Sequence, residues 1–282
     1  MTPTIAVPSR GRLRDEVARL LGDAGYPVGM LHGAGSIARL DGVRVIEMRP
    51  RDAAAALAAD QLDAAFVATD LVLEHDLDDC PALPLGFSRS DLVLASREDD
   101  GRASVADLSG GVISTHLPNA TRRYLAEHGV EATVVEMGGS LEGVAAAGLA
   151  DAIVDLRETG TSLAQNGLRV LDEIASCEAL LVRRASEDAP PALLDLELRA
   201  QAVLEARRHR YVMLHVPRAH LDKLQDLFPG LAAPTVLPLA GRDDLVAVHL
   251  VLSGRELWEK LGQLRDLGAT GIVALPPQAL LP

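Results

Sequence analysis

Gly148-Leu149-Ala150-Asp151-Ala152-Ile153-Val154-Asp155-Leu156-Arg157-Glu158-Thr159-Gly160-Thr161-Ser162-Leu163 is the stretch on which the fold turns. Residues 152–156 form a short apolar run of the kind a buried strand needs, and the run ends in carboxylates. Thr159, Gly160, Thr161 and Ser162 follow at once and open a helix-like segment that begins at Leu163. A glycine flanked by hydroxyls at a helix N-terminus offers a phosphate dianion unpaired backbone N–H groups, Oγ donors and a favourable dipole. Asp155 and Glu158 suit ribose hydroxyls or a bound Mg²⁺. A plain strand followed by a capped helix would use the same residues, with the hydroxyls capping and the acids complementing the dipole.

Outward from this stretch, strands and helices alternate, which points to α/β layers. Residues 4–8 are a short strand that gives way at Ser9-Arg10-Gly11 to an amphipathic helix over 13–24, with Leu13, Val17, Leu20 and Leu21 on its apolar face. Residues 43–48 are the next strand. Arg49-Pro50-Arg51-Asp52 then leads into an alanine-rich helix, and 64–67 is a buried strand just ahead of Asp70. Further strands are predicted at 91–95, 112–114, 132–136 and 179–182, and a helix at 122–128. Glu187-Asp188-Ala189-Pro190-Pro191 has a linker's composition, but a helix begins near Pro191 and runs to Arg207-Arg208-His209-Arg210. After it, 211–216, 219–228, 235–239, 245–251, 256–267 and 271–275 spell βαββαβ, a ferredoxin-like unit with an order of its own.

Composition narrows the function classes. With 282 residues, 48% of them hydrophobic, the chain can bury a full core in two or three domains. No apolar run approaches a membrane span, and the N-terminus lacks a basic region followed by an apolar core, so a cytoplasmic protein with no membrane partner is expected. Cys80 and Cys177 make neither a disulfide framework nor a four-ligand zinc site. A net charge of −13 disfavours binding to nucleic acid. Lysine occurs only at Lys223 and Lys260, away from the phosphate motif, so anion recognition there falls to arginine and backbone. Arg10, Arg12, Arg49 and Arg51 cluster at strand-to-helix turns, where ligands gather in open α/β sheets.

Several runs, in one order along the chain, resemble the ATP phosphoribosyltransferases, the first enzymes of histidine biosynthesis. The 148–163 stretch is similar to that family's phosphoribosyl-diphosphate (PRPP) loop, with Ser162 replacing a threonine and keeping the hydroxyl. Ile5-Ala6-Val7-Pro8-Ser9-Arg10-Gly11-Arg12-Leu13 resembles its opening strand and turn. Leu117-Pro118-Asn119-Ala120-Thr121-Arg122-Arg123-Tyr124-Leu125 and Gly139-Ser140-Leu141-Glu142 resemble two further motifs. The tail, from Tyr211-Val212-Met213-Leu214 through Ala233-Pro234-Thr235-Val236-Leu237-Pro238-Leu239 to Leu267-Gly268-Ala269, is similar to the extra domain of the long form, so the likeness covers nearly the whole chain.

The resemblance implies a two-lobed, periplasmic-binding-protein-like catalytic core and a C-terminal ferredoxin-like, ACT-like domain. Lobe I is expected at 1–88 with 174–206, lobe II with the PRPP loop at 89–173, and a regulatory domain at 207–282. It implies an Mg²⁺-dependent pentosyltransferase that joins ATP to PRPP and is inhibited by L-histidine, in a homo-oligomer built from dimers to hexamers. Asp151, Asp155, Glu158, Thr159, Gly160, Thr161 and Ser162 fall on the PRPP side, with Asp155 and Glu158 as metal ligands; Asp151 could equally be a solvated acid at a helix end. Arg10, Arg12, Arg49, Arg51 and Asp70 fall on the ATP side, and His215, Leu231, Thr235 and Gly271 near the effector. The adenine nucleophile carries a lone pair and no proton, so no general base is expected. Ala65 and Ala68 stand where the family has glycines, Ser9-Arg10 where a lysine is common, and His215 where an acid would pair with the effector's amino group. These departures leave open a second class, a catalytically weakened two-lobed ligand-binding or amino-acid-sensing protein.

Overall fold

The computed structural model describes residues 2–33, 35–186, 188–228 and 234–281; Leu231 therefore lies outside the described residues. The chain divides into two compact units, 1–19 with 26–194 and 20–25 with 195–282. The first unit carries two sheets.

In the first sheet, β1 (Thr4–Pro8) leads into α1 (Gly11–Asp23), and β2 (Ile37–Leu40) turns back antiparallel onto β3 (Val43–Met48). Then come α2 (Pro50–Ala58), β4 (Ala64–Ala68), α3 (Thr69–Glu74) and β5 (Ala82–Pro84). β1 lies parallel to both β3 and β4 at the centre of this sheet. Strands covered on both faces read as unbroken apolar runs, and Ile5, Ala6, Ala64, Ala65, Phe66 and Val67 are all fully buried. Pro50 opens α2 at a position where its missing N–H costs nothing.

The second sheet is built from β6 (Ser90–Arg97), β7 (Val112–Thr115), β8 (Thr133–Glu136), β9 (Ala152–Arg157) and β10 (Leu168–Cys177), with α4 (Pro118–Glu127), α5 (Leu141–Ala146) and α6 (Thr161–Gln165) between them. Its order is β10-β6-β9-β7-β8, with β7 parallel to β8 and β9. α6 starts at Thr161, earlier than the sequence suggested, and is only five residues long. α4 likewise starts at Pro118, because proline at the first turn is a start signal. β2 and β10 had no clean period-2 signature and were not foreseen.

The chain returns to the first sheet through Glu178 and β11 (Ala179–Arg183), which pairs antiparallel with β4 and β5. The two crossings, 85–89 and Glu178, run side by side. Glu178 accepts the Gly86 N–H on its carboxylate at 2.9 Å and the Thr69 N–H on its backbone carbonyl at 3.1 Å. This is the two-lobed architecture expected of the core.

The second unit holds most of α7 (Pro191–Arg208), then β12 (His209–Pro217), α8 (Leu221–Leu227), β13 (Thr235–Leu239), β14 (Arg242–Ser253), α9 (Gly254–Asp266) and β15 (Thr270–Leu275). Its antiparallel sheet runs β13-β14-β12-β15, the ferredoxin-like order. Val212, Leu214, Val246, Val248 and Leu250 bury one face against Leu224, Phe228, Leu257 and Leu264. On the opposite face Tyr211, Leu237, Val273 and Leu275 are exposed. Among the described residues no helix is long and apolar enough to cross a membrane.

Candidate active site

The carboxyl ends of β1, β3 and β4 in one lobe and of β7, β8 and β9 in the other carry the polar residues that meet within the first unit, as ligand-binding open α/β sheets do. From β9 the chain presents half-buried Asp155, then exposed Glu158, then the Thr159–Ser162 turn. Gly160 sits at the helix N-cap with φ 77°, a left-handed conformation that a side chain would strain. Thr159 and Thr161 hydroxyls lie 3.1 Å apart, and the Ser162 hydroxyl donates to Glu142 at 2.6 Å. Glu142 comes from the Gly139-Ser140-Leu141-Glu142 run, so two separate motifs join here.

The arginines of the facing lobe reach the same place. Arg12, in the first turn of α1, donates through both Nη atoms to Glu158, at 2.8 Å each. Arg51, at the start of α2, pairs with Glu136 at the end of β8. Arg10, in the turn after β1, and Arg49, the N-cap of α2, are exposed at the same sheet edge. All four expected arginines therefore lie at the carboxyl end, two of them held by carboxylates of the other lobe.

Between the lobes stands His116, which sequence reasoning missed. Its Nδ1 is 3.6 Å from Asp155 and its Nε2 is 4.0 Å from Asp70. Burial alone would lower its pKa, yet the facing carboxylates of Asp70 and Asp155 outweigh burial and the opposing Arg51, leaving it raised. Burial raises the Asp155 carboxyl, helped by Glu142 and Asp70 and opposed by the Leu156 N–H and His116. Asp70 is buried, and its Oδ1 lacks a hydrogen-bond partner, as does the buried Ser9 Oγ nearby in the fold. The signal available in the sequence was position: His116 follows the run Val112–Thr115 and precedes the helix-opening Pro118, a strand's carboxyl end.

Beside Glu158 opens a cavity of about 320 Å³, lined by Arg89, Ser90, Asp91, Ser176, Cys177 and Glu178. Arg157, two residues beyond Asp155 on the same face of β9, ties Asp91 at 2.8 Å and also pairs with Glu173. Cys177 is a free thiol whose pKa burial pushes up to about 12, so it is chemically quiet.

Asp151 is a correction. It lies before β9, at the opposite edge of the sheet, about 13 Å along the strand from Asp155. There it pairs with Arg102 and accepts the Val112 N–H at 2.8 Å, so it fastens the start of β7 instead of meeting a ligand. Ala65 is fully buried in the core of the first lobe, so its methyl meets other side chains; only the half-buried Ala68 adjoins the site. In the second unit, Thr235 and His215 lie on the open face of the sheet, and a Cβ on Gly271 would stand 3.5 Å from the His215 ring.

Among the described residues no group of three or more His, Cys, Asp or Glu side chains is placed to cage a metal ion. A magnesium ion does not require one, since it is commonly held by one or two carboxylates together with substrate phosphates. Asp155 fits that role as a hard oxygen donor at the cleft. Glu158 fits it once Arg12 releases its two oxygens.

A family model described as "HisG: ATP phosphoribosyltransferase" matches residues 49–201, and one described as "HisG, C-terminal domain" matches 206–278. An ATP phosphoribosyltransferase of Methanopyrus kandleri is 34% identical over 281 residues, covering 99% of both chains. One of Gemmatimonas aurantiaca is 36% identical over 289 aligned residues, again covering 99% of each. Among solved structures, the ATP phosphoribosyl transferase (HisG:HisZ) complex from Thermotoga maritima aligns with TM-score 0.62 and 27% identity, covering 72% of this chain and 98% of that one. Matched from end to end in sequence and built as two lobes whose PRPP-like loop faces a set of arginines, this chain belongs to the ATP phosphoribosyltransferase family.

Proposed function

We propose that the chain joins ATP to 5-phosphoribosyl diphosphate, giving N1-(5-phosphoribosyl)-ATP and diphosphate, the first step of L-histidine biosynthesis. The observation that carries this is the pairing of Arg12 with Glu158, next to the Thr159–Ser162 turn, and of Arg51 with Glu136, which brings the carboxyl ends of both sheets together. The lone pair of adenine N1 forms a bond to ribose C1 while the C1–O bond breaks, its electrons leaving with diphosphate. No proton must be removed for attack, so the protein's work is to position both substrates and to stabilise charge at an oxocarbenium-like centre.

Thr159, Gly160, Thr161 and Ser162 take the 5-phosphate through hydroxyls and the free N–H groups of the first helical turn. Asp155 and Glu158 hold the ribose hydroxyls. Arg12 and Arg51 give up their carboxylate partners to bind the phosphates of ATP and the diphosphate, with Arg10 and Arg49 beside them and Asp70 below. Magnesium, held by Asp155 and Glu158, would neutralise the leaving diphosphate. His116, between two carboxylates, keeps their charge balanced where positive charge develops.

The open sheet face of the second unit fits self-association, supporting a homo-oligomer of dimers to hexamers, and a site there for L-histidine as inhibitor near His215, Thr235 and Gly271. A division into lobe I, lobe II and a regulatory domain (207–282), and a cytoplasmic location, go with this function; the return to lobe I, expected at 174, comes at Glu178 because β10 pairs with β6 as far as Cys177, and residues 195–206 of α7 group with the second unit instead of lobe I (1–88, 174–206).

Diphosphate release from the purified chain with ATP, PRPP and Mg²⁺, with and without L-histidine, tests it. Release should need all three, fall to background on chelation and return on adding Mg²⁺. Asp155→Ala with Thr161→Ala should abolish it. PRPP binding without release would overturn the enzyme and favour a sensor.

A further inference from the structure

The sheet of the first lobe has a second polar end, the length of β1 away from the catalytic one. A cavity of about 490 Å³ lies there, and Arg39, Arg44, Arg184, Thr4, Gln61 and Asp63 are among the residues that line it. Arg39 on β2 and Arg44 on β3 are directly opposite each other in the antiparallel pairing. Like charges in that relation destabilise a sheet unless something is shared between them. The neighbouring acid cannot be what they share. Asp63 accepts Arg184 Nη2 on one oxygen at 2.9 Å and the Thr4 N–H on the other at 2.7 Å, so it is committed to both. Asp60 stands 4.0 Å from Arg184 as well.

Arg44 is nonetheless held in place. Its Nε and Nη2 both donate to the buried Thr4 hydroxyl, at 2.9 and 2.7 Å, a neutral acceptor that fixes the guanidinium without neutralising it. Among the described residues no carboxylate pairs with Arg39 or Arg44, in a chain of net charge −13 where acids are plentiful. A planar fork held in one orientation beside a second arginine matches a phosphate group, which accepts two parallel N–H bonds from each. We infer that this cavity is a second anion site, distinct from the catalytic cleft, which takes the phosphate group of a small phosphate monoester between Arg39 and Arg44. The inference does not depend on the reaction proposed above.

Equilibrium dialysis of the full chain against glycerol 3-phosphate, and separately against inorganic phosphate, tests it. Wild-type protein should bind the monoester with a component that R39Q/R44Q lacks, while R39Q/R44Q keeps PRPP-dependent diphosphate release. R39Q alone should weaken that component by about tenfold or more, the loss of a charge-assisted bond. In phosphate-free buffer R39Q/R44Q should melt no lower than wild type, because two facing charges have gone; adding glycerol 3-phosphate should raise the melting temperature of wild type by more than that of R39Q/R44Q, whose catalytic phosphate turn is intact. Equal monoester binding by wild type and R39Q/R44Q overturns the site. So does a melting temperature well below wild type without phosphate, which would make the arginines structural supports. Binding of inorganic phosphate alone, with no monoester component, would mean an adventitious ion only.

Discussion

His116 shows how much a single side chain can hide from sequence reading. The turn Thr159–Ser162 is legible because its residue types cannot easily serve anything but an anion or a helix cap, and it follows β9, which carries Asp155. His116 carries no such local signature; its meaning comes from Asp70 and Asp155, which arrive from α3 and β9. Its raised pKa predicts a pH dependence. A histidine charged more easily when folded than when unfolded contributes stability that is complete below its ordinary pKa and is lost as pH rises through the raised one. The difference in melting temperature between wild type and His116→Asn should therefore be largest in mild acid and shrink across that window. In Asp70→Asn, the His116 ring should titrate at lower pH by NMR. At Gly160, φ 77° makes Gly160→Ala cost about 1–2 kcal/mol. Thermal melts should show that modest loss, while KM for PRPP rises.

Elements were read well where burial imposes a period and poorly where tertiary contacts decide. β1 and β4, covered on both faces, stand out in the sequence; α3 (Thr69–Glu74), only six residues long, does not. Yet α3 supplies a support for the site's architecture. Glu74 is buried, and its carboxylate accepts the Asn119 and Ala120 N–H groups at 2.9 and 3.0 Å, capping α4 from the other lobe. An acid at a helix N-terminus satisfies orphan donors and favours the dipole at once. Glu74→Ala, which leaves both N–H groups without a partner, should lower stability by about 2–3 kcal/mol by chemical denaturation. Glu74→Gln, which keeps one acceptor oxygen, should lose less.

At the level of the whole molecule, the βαββαβ tail was legible from the order of elements, with which the second unit's sheet order agrees, whereas the two-lobed core followed from the family resemblance. What the sequence did not show is which face of that second sheet stays open, because β12 alternates between Tyr211, Met213 and His215 outward and Val212, Leu214 and Val216 inward without a polar outer row to mark it. Tyr211→Glu with Val273→Glu should reduce the molecular mass by light scattering and blunt any inhibition by histidine. The two lobes, in turn, share only the paired crossings at 85–89 and Glu178 as covalent connections. Glu178 binds both Gly86 and Thr69 there, so it acts mechanically as a pivot set at the short end of two long levers. A small rotation at the pivot becomes a larger displacement where Arg12 faces the Thr159–Ser162 turn, and a misplacement of about 1 Å there can cost on the order of 100-fold in rate. Glu178→Ala, which removes the Gly86 bond, keeps the backbone bonds to Thr69 and alters neither Arg12, Arg51 nor the turn, should thus lower kcat more than it lowers the melting temperature, since the alignment of the reacting groups is a property of the angle between two sheets.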